Sequence, residues 1–197
     1  IGATQRLVGL DNTATPAPKC APAPLNFLSL NAKGLNSSEK RSHALHLCQK
    51  ARAHVVYLQE THFKIDSIPK LCNHIYTQGF YSNNPDGKSK GTAILLHKSI
   101  PFVADSTTTD NSGRYVFVRG KILDETYTFA NIYAPNTRQD KFLQDTLRAL
   151  HDFTTGCLVL GGDFNIALHP TMDASRGHSS TPLPTPLKIR KLLHQYG

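Results

Sequence analysis

The sequence has no apolar run near the roughly 20 residues that a membrane-spanning helix needs, so we expect no membrane association. It also lacks a basic stretch followed by an apolar core at its start, which argues against a secretory signal peptide in these residues. The chain begins with Ile1 rather than Met, and we therefore interpret it as an internal part of a longer protein.

Cysteines are few: Cys20, Cys48, Cys72 and Cys157 stand far apart in a chain of 197 residues. The absence of a Cys-x-x-Cys pair argues against a zinc site, and the wide spacing argues against a disulfide framework. Buried thiols in a reducing compartment are the favoured interpretation, so we expect an intracellular protein, nuclear and cytoplasmic.

Motifs for nucleotide cofactors and for nucleophilic triads are also missing. There is neither a Walker loop nor a G-x-G-x-x-G sequence, so no nucleotide cofactor is implied. The ten histidines are scattered without an obvious carboxylate partner, which gives no basis for a Ser-His-Asp arrangement. His62 has no second histidine at ligand spacing, so zinc is discounted there as well.

Negative charge is scarce, because 14 Asp and Glu face 22 Lys and Arg and the net charge is +8. A basic surface attracts polyanions, of which nucleic acid is the commonest. A mildly basic protein without such a partner is the alternative that charge alone leaves open.

The first 25 residues hold four prolines among Ala and Thr and few large apolar side chains. This composition cannot bury enough surface to offset its ordering entropy, so residues 1–25 are predicted to form an extended leader or linker. We expect one partial domain over residues 26–197. Near its end, a proline-containing loop at 182–186 and a short helix from about Leu187 are predicted.

Hydrophobic patterning predicts strands and helices in alternation. Short apolar runs predict strands at 25–31, 55–58, 92–96 and 157–160, the last broken by Gly161-Gly162. Runs at 115–118 and 127–133 predict a hairpin around Asp124-Glu125. Helices are predicted over about 39–51, capped by Ser37 or Ser38, and over about 138–152. The first would bury the stripe Ala44, Leu45, Leu47, Cys48 and Ala51. This mixture favours an α/β sandwich over an all-parallel sheet.

Polar residues stand at the ends of four predicted strands: Asn31, Glu60, Tyr133 and Asp163. A rigid sheet can present a functional site at such positions. Glu60 and Asp163 could hold a hard cation or orient a water, and the Asn165 amide could hydrogen-bond a phosphate oxygen. Each has an ordinary alternative, which is a solvated glutamate for Glu60 and a local turn for Asp163 and Asn165.

Tyr133 could donate a hydrogen bond to a phosphate, although a tyrosine that caps a core is the commoner case. The basic loop at 87–91, with Lys88 and Lys90, suits phosphate contacts, and an ordinary solvated loop is the alternative.

Five sequence blocks, taken in order, resemble the endonuclease domain of non-LTR (long interspersed) retrotransposons, a branch of the exonuclease–endonuclease–phosphatase superfamily that includes apurinic endonucleases and DNase I. The blocks span about residues 26–165. They are Asn31 with Gly34-Leu35, Gln59-Glu60-Thr61-His62, Gly91-Thr92-Ala93-Ile94-Leu95, Asn131-Ile132-Tyr133-Ala134-Pro135-Asn136 and Gly162-Asp163-Phe164-Asn165.

The resemblance implies a four-layer α-β-β-α sandwich with a site across the tops of the sheets. It implies that Glu60 binds Mg²⁺ or Mn²⁺ with Asn31 in the metal and phosphate shell, and that Tyr133 contacts the scissile phosphate. Asp163 would orient or deprotonate the attacking water and Asn165 would stabilise the pentacoordinate phosphate. Asn136 would lie at the DNA-contacting rim, with Lys88 and Lys90 as further DNA contacts.

The sequence departs from the family pattern in two places. The family closes with a metal-binding aspartate and a Ser-Asp-His signature, and no aspartate follows Asp173 here. We therefore expect a C-terminally truncated, inactive form of the domain. Lys33 stands where the apurinic-repair branch has a carboxylate, which argues against that branch.

The function implied is a metal-dependent endonuclease that nicks target DNA and leaves a 3′-hydroxyl to prime reverse transcription. The implied partners are DNA and a reverse transcriptase domain in the same polyprotein, and the domain would be a monomer. A repair nuclease of the same superfamily is one alternative, which preference for abasic sites would reveal. A non-catalytic DNA-binding module is another, which salt-sensitive binding that ignores Glu60 and Asp163 would reveal.

Overall fold

The computed structural model describes residues 24–69 and 71–165. Most of the predicted leader at 1–25 lies outside these ranges, as do the loop predicted at 182–186 and the helix predicted from Leu187.

Eight strands in the described ranges form two four-stranded sheets. The first sheet contains β1 (Phe27–Asn31), β2 (Val55–Gln59), β3 (Tyr76–Ser82) and β4 (Thr92–His97), in the order β1-β2-β4-β3. The second contains β5 (Phe102–Thr109), β6 (Tyr115–Ile122), β7 (Glu125–Tyr133) and β8 (Cys157–Asp163), in the order β5-β6-β7-β8. Helix α1 (Ser38–Lys50) follows β1, and helix α2 (Gln139–Phe153) follows β7. Neither of these two helices is long and apolar enough to cross a membrane.

Each sheet contains one parallel pair of strands whose crossover is a helix. β1 pairs with β2 across α1, and β7 pairs with β8 across α2. Because parallel strands run in the same direction, their carboxyl ends meet at one edge of the sheet. The register aligns Asn31 with Gln59 in the first sheet and Tyr133 with Asp163 in the second. Tyr133 and Asp163 therefore lie side by side at the carboxyl ends of their strands, and Asn31 lies beside Gln59, which Glu60 directly follows.

Three apolar clusters separate four layers. The cluster between the two sheets contains buried side chains from both of them, among them Tyr57, Ile94, Val116, Val118 and Phe129. A second cluster packs α1 against the outer face of the first sheet, and a third packs α2 against the outer face of the second. The predicted α-β-β-α sandwich is confirmed, and apolar burial on both faces of each sheet is its principal stabilisation.

Two strands were not predicted, and both lie at the edge of a sheet. The apolar pattern of β3 is broken by Gly79 and polar residues, and every residue of β5 after Phe102 is exposed or half-buried. Edge strands are buried on fewer sides, so their apolar signal is weak. The stripe predicted for α1 is wrong in part, because only Ala44 and Cys48 are buried, whereas Leu47 and Ala51 are exposed.

The predicted break at Gly161-Gly162 is wrong, since β8 continues through both glycines to Asp163. Gly162 has φ +139°, and a Cβ there would lie 1.9 Å from the Ile132 carbonyl oxygen. A Cβ on Gly161 would lie 2.7 Å from the Tyr57 ring. The two glycines thus allow close approach of β8 to its neighbours and carry Asp163 to the sheet edge.

A buried amide joins the two sheets just below this edge. The Asn131 side chain, fully buried in β7, donates from Nδ2 to the carbonyl oxygens of Leu58 (2.8 Å) and Ala93 (2.9 Å) on the other sheet. Its Oδ1 accepts from Gln59 Nε2 at 2.8 Å. Every polar group of this side chain is therefore satisfied, and the contacts fix how the two sheets align.

We expect Asn131→Leu to lower the free energy of unfolding by roughly 2–3 kcal/mol. The substitution removes the acceptor of the buried Gln59 amide and the side-chain donor to the carbonyl oxygens of Leu58 and Ala93. Urea denaturation measures the change. Gln144→Leu, on the exposed face of α2, is the matched control and should stay within about 0.5 kcal/mol of wild type. Equal effects from the two variants would contradict the role given to Asn131.

Candidate active site

Four of the predicted site residues converge where the sheet edges meet. Asn31 Nδ2 donates to Glu60 Oε1 at 2.9 Å and to Asp163 Oδ2 at 3.1 Å. The Tyr133 hydroxyl donates to Glu60 Oε1 at 2.8 Å. All four side chains are half-buried. Two carboxylates, which can only accept hydrogen bonds when ionised, thus share one amide donor.

The backbone around Glu60 adopts an uncommon conformation that its neighbours hold in place. Glu60 has φ +54°, in the left-handed region that costs a non-glycine residue energy. Its carbonyl oxygen accepts from Gly34 N at 2.7 Å, and Thr61 N donates to Gly91 O at 3.1 Å. Backbone hydrogen bonds on both sides therefore fix the direction of the Glu60 carboxylate. The sequence pattern did not predict this left-handed backbone.

The carboxylate of Glu60 is held in its charged form. Burial by itself would raise the pKa, but hydrogen bonds from Asn31 and Tyr133 together with the nearby charges of His62 and Lys33 outweigh it and lower the pKa of Glu60. At neutral pH the group is an anion with fixed orientation, which is the state needed to bind a cation.

Tyr133 is held in the opposite way. Burial, the hydrogen bond to Glu60 and the negative charge of that carboxylate raise the pKa of Tyr133 to about 12. The hydroxyl therefore remains protonated at neutral pH and acts as a hydrogen-bond donor rather than as a base or nucleophile.

Two residues that the sequence arguments set aside lie against this group. His62 Nε2 is 3.7 Å from Glu60 Oε2, and its ring packs on Gly34, where a Cβ would lie 2.9 Å from Nδ1. The Lys33 amide donates to Asn31 Oδ1 at 3.2 Å. Lys33 and His62 also have positive φ, and no spacing pattern predicts such turns. The resemblance of the Gln59–His62 block to the family sequence was the one indication that His62 belongs to the site.

Asn165 and Asn136 lie near the cluster without joining it. The Asn165 backbone N–H donates to Asp163 Oδ1 at 3.0 Å, whereas its side-chain Nδ2 donates to the Ala134 carbonyl at 2.7 Å. Its φ of +51° turns the chain, so Asp163 and Asn165 do not project together as an extended strand would make them. Asn136 is exposed, three residues beyond Tyr133.

The basic loop lies beside the segment that follows Glu60. The Lys90 carbonyl accepts from His62 N at 2.9 Å, and Lys88 is exposed. The loop is thus anchored by its backbone next to the site, which leaves the contacts of Lys88 and Lys90 with DNA as a prediction.

The donor set fits a hard divalent cation. Glu60 and Asp163 place two carboxylates around one amide, and Mg²⁺ is usually held by one or two carboxylates together with substrate oxygens. Within the described ranges there is no group of three or more His, Cys, Asp or Glu side chains arranged for an ion, so the pattern is unlike a closed structural site. Asn31 as a ligand stays a prediction, because its Nδ2 rather than its Oδ1 faces the carboxylates.

Comparison with known proteins gives a consistent result. A model of the "Endonuclease/Exonuclease/phosphatase family" matches residues 25–184. A protein named "Transposon TX1 uncharacterized 149 kDa protein", from Xenopus laevis, is 26% identical over 150 residues, which is 73% of this chain and 11% of that protein.

Two solved structures show the same fold. An AP endonuclease from Leishmania major superposes with a TM-score of 0.68 at 14% identity, over 87% of this chain and 66% of that one. An AP endonuclease from Archaeoglobus fulgidus superposes with a TM-score of 0.64 at 16% identity, over 87% of this chain and 71% of that one. The chain thus spans about two thirds of these structures and a small part of the transposon protein.

We expect Asn31→Asp to destabilise the protein at pH 7 by about 1–3 kcal/mol, because it replaces the shared donor with a third carboxylate. The repulsion raises carboxylate pKa values in the folded state, so the deficit should shrink as the pH falls and the group takes up protons. Chemical denaturation across pH measures it, with the exposed Asn36→Asp as the control. A deficit that does not depend on pH would count against the shared-donor explanation.

The lowered pKa of Glu60 makes a separate prediction. Since its pKa in the folded state lies below the ordinary value of 4.5, Glu60 stabilises the protein above about pH 4.5, and this contribution disappears as the pH falls through the folded-state pKa. The stability difference between wild type and Glu60→Gln should therefore narrow below about pH 4.5. Thermal unfolding at a series of pH values tests this, and a difference that stays constant would show that Glu60 is not held as an anion.

Proposed function

This chain belongs to the endonuclease/exonuclease/phosphatase family, whose members are hydrolases of phosphate esters, and from that premise we propose that it is the DNA-nicking domain of a retrotransposon polyprotein. The observation that carries the proposal is the convergence of Glu60, Asp163, Asn31 and Tyr133 on one point at the sheet edges. The transposon relative and the net charge of +8 support DNA as the substrate.

The proposed reaction is hydrolysis of one phosphodiester bond. Asp163, with Oδ1 fixed by the Asn165 backbone, orients an attacking water and accepts its proton. The new bond forms between the water oxygen and phosphorus while the bond from phosphorus to the 3′ oxygen breaks, and the departing 3′ oxygen takes up a proton from solvent to become the 3′-hydroxyl. When substrate binds, the Tyr133 hydroxyl and Asn31 Nδ2 would exchange their hydrogen bonds to Glu60 Oε1 for bonds to the phosphate oxygens on which charge accumulates.

Mg²⁺ or Mn²⁺ held by Glu60, with Asp163 and Asn31 beside it, would neutralise phosphate charge when bound. Fixing Glu60 as an anion prepares this site before the cation arrives, because the left-handed backbone and two hydrogen bonds already hold the carboxylate. His62 and Lys33 limit the accumulation of negative charge next to it.

Plasmid relaxation with Mg²⁺ tests the activity. Because the Ser-Asp-His signature is not among the 197 residues, we would assay this chain beside a version extended through the C-terminal segment that the family resemblance implies. We expect the extended version to nick, and Asp163→Asn to lower its rate by at least about a hundredfold, since a positioned general base contributes roughly 10²–10⁴.

The control is Asp124→Asn. Asp124 is exposed in the turn between β6 and β7, and it lies at the opposite end of β7 from Tyr133. The variant should nick like wild type. An extended version that binds DNA but never nicks would replace the proposal with a binding module. A strong preference for abasic over intact DNA would replace it with a repair nuclease.

Cation binding provides a readout that does not require turnover. Mn²⁺ should raise the thermal unfolding midpoint of the 197-residue chain, because a ligand that binds only the folded state stabilises it. Glu60→Gln should abolish that rise, and Asp124→Asn should retain it. An equal rise in all three proteins would place the ion elsewhere.

A further inference from the structure

Arg114 lies directly before β6 and stacks on the ring of Tyr133. Its guanidinium carbon is 4.8 Å from the ring centroid, and Nη1 donates to the Tyr133 carbonyl oxygen at 3.3 Å. The face of the tyrosine fixes the plane of the guanidinium, and the carbonyl fixes its direction. The same tyrosine places its hydroxyl on Glu60, so Arg114 and the carboxylate cluster are joined through one side chain.

The turn that carries Arg114 is itself rigid. Asp110 Oδ1 accepts from the backbone N–H groups of Arg114 (2.7 Å) and Tyr115 (3.0 Å), and its Oδ2 accepts from the Ser112 backbone at 3.1 Å. Tyr133 N donates to the Arg114 carbonyl at 2.7 Å. The nearest acidic group in this turn is thus occupied with backbone donors, and it does not pair with the guanidinium.

Arg114 forms no ion pair with any carboxylate of the described ranges. Arg119, on the same strand, shows the alternative arrangement. It stacks on Phe153 at 5.4 Å and donates to the Phe153 carbonyl at 3.3 Å, but it also bonds Asp105 at 2.9 Å. Two arginines with the same aromatic and carbonyl contacts therefore differ in one respect: among the described residues, Arg119 forms an ion pair with a carboxylate and Arg114 does not.

A half-buried guanidinium whose remaining N–H groups are not matched by a carboxylate suits a bidentate anion. The planar guanidinium matches the geometry of a phosphate group, which is the anion that nucleic acid presents. We propose that Arg114 binds the DNA backbone phosphate next to the one that is cleaved, and so positions the strand over Tyr133 and Glu60. The inference rests on the proposed function and adds to it a residue that sets how the substrate lies.

The test measures binding of a fluorescently labelled DNA duplex by anisotropy, in EDTA and across a potassium chloride series. Arg114→Met, which keeps the aliphatic packing, should weaken binding about tenfold or more at low salt. It should also reduce the slope of log affinity against log salt by about one, because one phosphate contact is lost. Arg114→Lys should restore the slope but only part of the affinity, since lysine binds as a point charge.

Arg119→Met is the matched control and should leave both affinity and slope unchanged. In the nicking assay, Arg114→Met should raise KM more than it lowers kcat. If Arg114→Met binds DNA as tightly as wild type, the inference is wrong. If its affinity falls together with its unfolding midpoint while the salt slope stays unchanged, Arg114 has only a structural role. If the extended wild-type version binds and nicks DNA and the same version carrying the Arg114 substitutions matches it, this inference alone fails. If the extended wild-type version neither binds nor nicks DNA, the proposed function fails with it.

Discussion

The buried contact between Asn131 and Gln59 is the constraint on which the position of the site depends. Glu60 and Tyr133 stand on different sheets, and each lies within two residues of one member of this amide pair. Within the described residues, side-chain packing and polar links such as this one and the Tyr57 hydroxyl on the Val159 carbonyl hold one sheet at a fixed height against the other. Apolar packing alone tolerates small sliding, whereas a hydrogen bond between buried amides does not.

The cluster above this contact is balanced by opposing electrostatic effects. Two carboxylates would repel each other, and a single Asn31 amide reduces that repulsion by donating to both. Lys33 supplies positive charge from outside, His62 lies 3.7 Å from Glu60 Oε2, and Tyr133 stays neutral because its surroundings raise its pKa. The site therefore holds negative charge in a fixed place before any ligand arrives, a form of preorganisation that favours charged transition states.

Much of this arrangement could be read from the sequence, and the limits have physical reasons. Strand ends placed Asn31, Glu60, Tyr133 and Asp163 on the correct edges, because parallel crossovers bring carboxyl ends together. The chain does not stay extended at Asn165, where a left-handed backbone turns the amide onto Ala134, so the role of Asn165 stays a prediction. The edge strands β3 and β5 were not predicted, because the hydrophobic pattern of a half-exposed strand is weak. The roles of His62 and Arg114 depend on contacts across the fold that no local spacing encodes.

The division of the site between two sheets also bears on how the protein acquires its chemistry during folding. Each βαβ unit, β1-α1-β2 and β7-α2-β8, is local in sequence and can form early, yet each holds only one of the two carboxylates. The remaining step joins segments that are far apart in the sequence, as the Asn31–Asp163 bond shows, which spans 132 residues. A nascent or partly unfolded chain therefore carries only half of the candidate site, so the two carboxylates come together only when the tertiary structure is complete.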